Sequence, residues 1–239
     1  MSEPMRLDKR LVALIQCSRG EAQKYIEGGW VRVDGEIIDQ PQFKVTSEEV
    51  ALHADATLAP IAPATILFHQ PEGFDIEAPD AALALITPQT RSADDDPGVR
   101  ILKRHLARQR ATVPLEAGAT GLLVFSQDGR ILRRLIDDAS KNEQEYVVRV
   151  EGEMAEEGLD ELNQPMMQDG WRLPSAKVSW QSDHCLRFAL KNVRPGQIEL
   201  MCDRVGLTVL SMLRIRIGRV SMGKLKPGEW CYLPAGTRF

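Results

Sequence analysis

The sequence predicts an α+β protein in two parts, and three observations lead there. A compact helix–helix–hairpin pattern fills residues 1–53. An Ala/Pro-rich stretch with little periodicity, ADATLAPIAPA at 54–64, reads as a linker to a longer remainder, 65–239. In that remainder, strand-like and helix-like runs mix without the regular alternation of a doubly wound sheet. The chain has 239 residues, 43% of them hydrophobic, enough for one small module and one medium core.

In the first part, Leu7, Leu11, Leu14 and Ile15 fall on one helical stripe, and Arg6, Lys9 and Arg10 share a different face. Ser18-Arg19-Gly20-Glu21 fits a capping box that opens a second helix, with Ala22, Tyr25 and Ile26 inward. Gly28-Gly29 ends that helix. Val31 and Val33 alternate with Arg32, and Asp34-Gly35 is a two-residue hairpin turn into Glu36-Ile37-Ile38. Strands in the second part are expected at 66–69, 121–125, 146–150, 176–180, 185–190, 207–211 and 213–217. Helices are expected at 98–110, 130–138, 155–163 and 196–205.

No apolar run is long enough to span a bilayer, and MSEPMRLDKR lacks the apolar core of a signal peptide, so a cytoplasmic protein is expected. Cys17, Cys185, Cys202 and Cys231 are scattered and read as reduced, mostly buried thiols rather than a zinc site or disulfide framework. The net charge of −4 argues against a polycation-type nucleic-acid binder. That charge is sorted into blocks, however. Residues 97–141 carry nine basic and four acidic side chains, and 186–239 carry ten and three. Residues 72–96 carry one and seven, and 143–169 one and nine, while 1–53 hold seven and nine.

The stretch RLDKRL…CSRGEAQKYIEGGWVRVDGEII resembles an S4 RNA-binding domain. Physically, Arg6, Lys9, Arg10, Arg19 and Lys24 on two short helices can face a phosphate backbone. The remainder resembles the RsuA-type ribosomal RNA pseudouridine synthases. Ile66–Gly73 sits where that family has a strand followed by Asn-Lys-Pro-x-Gly. Gly121–Gly129, Glu145–Val150, Gln197-Ile198 with Met201, Arg214–Gly218 and Leu225–Trp230 match further family stretches. The resemblance implies a small S4 domain, two helices plus a hairpin sheet. It is followed by a domain with a central, mostly antiparallel sheet and a cleft for a flipped uridine. It also implies structured, ribosomal RNA as partner. Neither metal nor cofactor is implied, and a monomer is expected.

The resemblance is weakest at the chemistry. The family's Gly-Arg-Leu-Asp falls on Val113-Pro114-Leu115-Glu116, so the assisting arginine is Pro114 and the catalytic aspartate is Glu116. The family's Gly-Arg-Asn-Arg-Gln-Ile-Arg-Arg-Met reads Val193-Arg194-Pro195-Gly196-Gln197-Ile198-Glu199-Leu200-Met201, which keeps Arg194 but places Glu199 and Leu200 at two arginine positions. Tyr146, which in the family packs against the flipped base, is retained. Isomerisation breaks the N–C glycosidic bond, rotates the base and rejoins it through carbon, with a carboxylate acting at close range. Glutamate moves the oxygens outward by one methylene, and a misplacement of about 1 Å can cost on the order of 10²-fold. A nearby Glu199 would raise the carboxyl pKa. Pro114 supplies no charge to help extrude the base.

Two readings therefore compete: slow catalysis by Glu116, or RNA binding without modification, as in ribosome assembly or stress response. The residues favour impaired or absent activity. A protein-interaction module that ignores RNA is a third, weaker reading. Arg100, Lys103, Arg104 and Arg108 lie at helical spacing, and RNA contact is expected there, at Arg104 above all. Arg194, Gln197 and Arg214 are expected to line the cleft. Arg214 and Arg216 alternate along one strand and are expected on one face, there to line the cleft or pair with acidic neighbours. Asp94-Asp95-Asp96 reads as a solvated loop rather than a metal site.

Overall fold

The computed structural model describes residues 3–73, 79–96, 99–168 and 170–239. The chain divides into two compact units, Met1–Pro63 with Pro97–Arg108, and Ala64–Asp96 with Gln109–Phe239. The sequence division placed 97–108 in the second part. Its contacts group it with the first.

In the first unit, α1 (Leu7–Ile15) and α2 (Arg19–Glu27) form a helical pair. Leu7 and Leu11 meet Ala22 and Ile26 in a core closed by Val31 and Val33. Leu14, expected on the buried stripe, is 51% exposed, because α1 buries the side between Leu11 and Ile15 and Leu14 lies on the stripe's far edge. The capping box at Ser18 forms in both directions: the Glu21 amide donates to Ser18 Oγ and the Ser18 amide to Glu21 Oε2. Strand β1 (Val31–Val33) pairs with β2 (Glu36–Ile37) and with β3 (Val50–Leu52), both antiparallel.

The expected helix over 98–110 is a single turn, α3 (Lys103–Leu106), with residue 98 outside the described residues. Arg108 has a φ of 55°, which breaks any continuous helical face. The segment instead follows the surface of the first unit as a strap. The Arg100 guanidinium stacks 3.6 Å from the centre of the Trp30 ring, a favourable cation–π arrangement. Leu102 is buried, with its Cδ2 2.6 Å from where a side chain on Gly29 would begin. Gly29, at φ 68°, thus supplies both the left-handed end of α2 and the space for Leu102. The Lys103 amide donates to Asp39 Oδ2.

The second unit is built on a sheet that has nine strands among the described residues. Seven form a path: β7 (Ala176–Ser182), β8 (Cys185–Lys191), β6 (Glu143–Gly152), β9 (Leu207–Ile217), β5 (Ala119–Ser126), β4 (Thr65–Gln70) and β10 (Trp230–Tyr232). Neighbours are antiparallel except β9 and β5. The expected strands 207–211 and 213–217 are one strand, β9, whose pairing with β6 shifts register twice. The helices are α4 (Gly129–Leu132), which continues as a π-turn over Arg133–Asp137, α5 (Gly158–Leu162) and α6 (Gln197–Arg204). One sheet face, with Tyr146, Val148, Phe188 and Met212, packs on Ile198 and Met201 of α6. The other face of the β4–β5 half packs Leu67, Leu122 and Val124 on Leu135. Among the cysteines, all free, only Cys202 is buried; the other three are half-buried.

Candidate active site

In the first unit, the basic residues singled out in the sequence are organised by Asp8, which is fully buried. Arg6 grips both Asp8 carboxylate oxygens at 3.0 Å, Arg19 Nε donates to Oδ2 at 3.1 Å, and Gln23 Nε2 adds a longer bond. These donors outweigh the cost of burial and hold the Asp8 carboxyl at a pKa of about 2, below its usual range. Asp8 therefore ties the start of α1 to α2 and sets the positions of Arg6 and Arg19. Lys9, Arg10 and Lys24 are exposed. Arg104 sits on the strap, 3.7 Å from Glu27 Oε2 at the end of α2.

In the second unit, Glu116 lies in the loop that leads into β5. Leu115 anchors this loop in the core, and the Ala119 amide closes a turn onto the Glu116 carbonyl at 3.0 Å. Glu116 is 7% exposed. Its Oε2 accepts the Gly196 amide at 2.9 Å, at the entrance to α6. Burial pushes the Glu116 carboxyl above its ordinary value; the Gly196 amide opposes this, Glu199 adds to it and Arg214 opposes it. The rise expected from a glutamate at position 199 is present, with desolvation the larger cause.

Arg214 is not an RNA-facing residue in this structure. It is fully buried, and its guanidinium donates to the carbonyls of Val113, Pro114 and Leu122 and to Gln144 Oε1. A planar fork of five N–H groups suits this work, holding the loop before Glu116 by its backbone. Tyr146 is 1% exposed, and its hydroxyl donates to the same Gln144 oxygen at 3.0 Å. Burial raises its phenol pKa. Gln197 is also fully buried: its side chain donates to the Pro174 carbonyl and accepts the Arg194 amide, so it braces the start of α6 instead of facing a ligand. Arg194 itself is exposed.

Arg214 and Arg216 do not share a face. Arg214 pairs in register with Tyr146 but Arg216 with Glu145, because an extra residue bulges the strand between them. Arg216 thereby meets Glu143 and Glu145 on the opposite side of the sheet, where Glu145 also takes Arg187. Gly121 lets β5 and β9 approach at this point: it has a φ of 106°, and a Cβ there would lie 2.4 Å from the Arg214 carbonyl oxygen.

The structure thus brings together Glu116, Tyr146, Arg214 and Gln197 of the expected site residues. Sequence reasoning missed Gln144, Gly196 and Asp8. Gln144 shares the face of Tyr146 two residues earlier on β6, a periodicity visible in the sequence. Gly196 acts through its backbone, which leaves no side-chain signal. Among the described residues, no group of three or more His, Cys, Asp and Glu is placed to hold a metal ion. Asp95 of the acidic triplet pairs with Arg91 at 2.6 Å. No helix among the described residues is long and apolar enough to cross a membrane.

Residues 5–50 match the S4 domain family. The chain is 26% identical over 230 residues to ribosomal small subunit pseudouridine synthase A of Escherichia coli (strain K12), covering 95% of each. It is 24% identical over 239 residues to ribosomal large subunit pseudouridine synthase B of Yersinia pestis, covering 95% of this chain and 72% of the relative. An uncharacterized RNA pseudouridine synthase of Aquifex aeolicus (strain VF5) is 24% identical over 229 residues, covering 95% of this chain and 91% of the relative. A crystal structure of a pseudouridylate synthase superposes with a TM-score of 0.60 at 19% identity, covering 96% of each chain. The architecture is an S4 domain followed by a pseudouridine-synthase fold. Along 95% of its length the chain is similar to ribosomal pseudouridine synthases of both the small and the large subunit.

Proposed function

We propose that the protein binds structured ribosomal RNA in the cytoplasm as a monomer, and that its uridine isomerase activity is impaired or absent. Arg6, Lys9, Arg10, Arg19 and Lys24 of the S4 domain supply phosphate contacts, with Arg104 and Arg194 as further cationic contacts. Asp8 pre-sets Arg6 and Arg19, which lowers the entropy lost on binding. Selectivity comes from the shape presented by one cationic face rather than from bulk charge.

The observation that carries the reading is the Glu116–Gly196 bond. Glu116, the one acidic residue of the loop, is 7% exposed and engaged by the entrance to α6. A nucleophile or base needs its oxygen free and ionised at the reacting atom. Here Oε2 is held by an amide, burial pushes the carboxyl pKa above its ordinary value, and Tyr146 presents almost no surface on which a base can lie. Pro114 stands where an extruding arginine is needed. RNA binding without modification fits this closed arrangement better than turnover does.

The test is site-resolved pseudouridine mapping of ribosomal RNA with and without the gene, paired with purified protein on ribosomal RNA and its precursors. Bound RNA with little pseudouridine is expected, and binding is expected to survive Glu116→Ala. Robust turnover that disappears in Glu116→Ala would sink the reading.

A further inference from the structure

The strap at 99–108 alters the electrostatics of the S4 unit. Residues 1–63 carry seven basic and ten acidic side chains, an unpromising balance for a polyanion partner. The strap contributes Arg100, Lys103, Arg104 and Arg108 and no carboxylate. Arg100 is spent on Trp30 and Gly28, as an anchor. Lys103, Arg104 and Arg108 are exposed.

Arg104 is placed by α2. Arg19, Gln23 and Glu27 succeed one another at i, i+4 and i+8 and form one ridge of that helix. Arg19 and Gln23 meet at Asp8 on one end. The other end carries Glu27, which by itself would repel phosphate. Arg104 of the strap is 3.7 Å from Glu27 and 65% exposed, so it neutralises the acid while lying at the surface. Lys24 is exposed one turn before Glu27. An exposed pair of this kind is worth little to stability, so a phosphate competes for Arg104 at small cost.

We infer that the strap is a built-in extension of the S4 RNA interface: Lys103, Arg104 and Arg108 carry the cationic surface from Arg19 along α2 and beyond its acidic end, where they contact the RNA phosphate backbone. This rests on the S4 unit binding RNA as proposed above. The strap decides how far along the backbone the unit reaches. Its anchors, Arg100 on Trp30 and Leu102 against Gly29, fix the cations in advance of binding.

The experiment is filter binding of the full-length protein to purified 16S and 23S ribosomal RNA across a series of salt concentrations. Four variants accompany the wild type: Lys103→Gln/Arg104→Gln/Arg108→Gln in the strap, Arg19→Gln in the S4 domain, Arg104→Lys, and Arg149→Gln/Arg172→Gln/Lys177→Gln in the second unit. The last removes the same charge from exposed positions elsewhere. The strap variant is expected to bind on the order of tenfold or more weakly, with a log–log salt slope shallower by about 2–3, as loss of three phosphate contacts requires. Arg104→Lys should retain most binding, and thermal melts should match the wild type. An unchanged affinity and slope in the strap variant overturns the inference, as does an equal loss in the charge-matched variant. If the strap variant binds normally while Arg19→Gln weakens binding, the strap role falls and the S4 reading stands. If the wild type binds neither RNA, both fall.

Discussion

The Glu116 carboxylate and the Gly196 amide meet at 2.9 Å, so the buried acid holds the backbone that enters α6. This contact joins two segments remote in sequence, Val113–Glu116 and Val193–Met201.

The pH dependence of Glu116→Gln follows from that position. The folded Glu116 pKa lies above its ordinary value of 4.5, chiefly through burial. The stabilising contribution of such a group is complete below the unfolded pKa and is lost as pH rises through the folded one. An amide keeps an oxygen for the Gly196 N–H and carries no charge. Glu116→Gln is therefore expected to gain stability relative to wild type as pH rises from 4 to 8, read from paired thermal melts. A constant difference across that range contradicts the assignment.

Asp8→Asn acts with the opposite sign. The folded Asp8 carboxyl, at about 2, is below its ordinary 3.8. Its contribution is present above the unfolded value and is lost as pH falls through the folded one. The variant should cost about 2 kcal/mol near neutral pH, and the deficit should shrink between pH 4 and 2. Urea denaturation followed by circular dichroism at paired pH values checks both parts.

Arg214→Met leaves the Val113, Pro114 and Leu122 carbonyls without their donor inside the protein. A loss of about 3 kcal/mol or more is expected. Amide hydrogen exchange should show the loss concentrated at Val113–Glu116. Arg214→Lys should recover only part of it, since one ammonium does not span the same four acceptors.

Gly121→Ala combines a φ of 106° with a Cβ 2.4 Å from the Arg214 carbonyl oxygen. Backbone strain and the separation of β5 from β9 should together cost about 3 kcal/mol or more. Thermal melting checks this, and a near-wild-type midpoint would contradict the close approach of the two strands.

The S4 elements were legible because each rests on local signals: the Ser18–Glu21 box, the Gly28-Gly29 stop and the Asp34-Gly35 turn. The α+β class was legible from the irregular mixing of strand-like and helix-like runs, and the mostly antiparallel sheet followed from the family resemblance. Arg214 and Arg216 were assigned to one face because simple alternation holds only without a bulge, and the extra residue in β9 is a pairing effect that no single strand reveals. Arg214 and Gln197 were expected at the cleft because polar side chains in a recognised motif read as ligand-facing. Their burial depends on carbonyls contributed by segments remote in sequence, at Val113, Pro114, Leu122 and Pro174. The stretch 98–110 has the composition and spacing of a helix, but Trp30, Gly29 and Asp39 offer tertiary contacts that an uninterrupted helix would not satisfy together.

The strap also has a consequence for the order of assembly. The first unit closes Gly29 and Trp30 only with Leu102 and Arg100, which the ribosome adds some seventy residues later. Residues 64–96, which belong to the second unit, must emerge in between. Closing so long a loop carries an entropic cost before its contacts form. A fragment ending at Pro63 therefore has its helical pair and hairpin but an uncovered tryptophan. The N-terminal domain reaches its final form only after synthesis of its neighbour has begun, and the maturation of the two is interleaved.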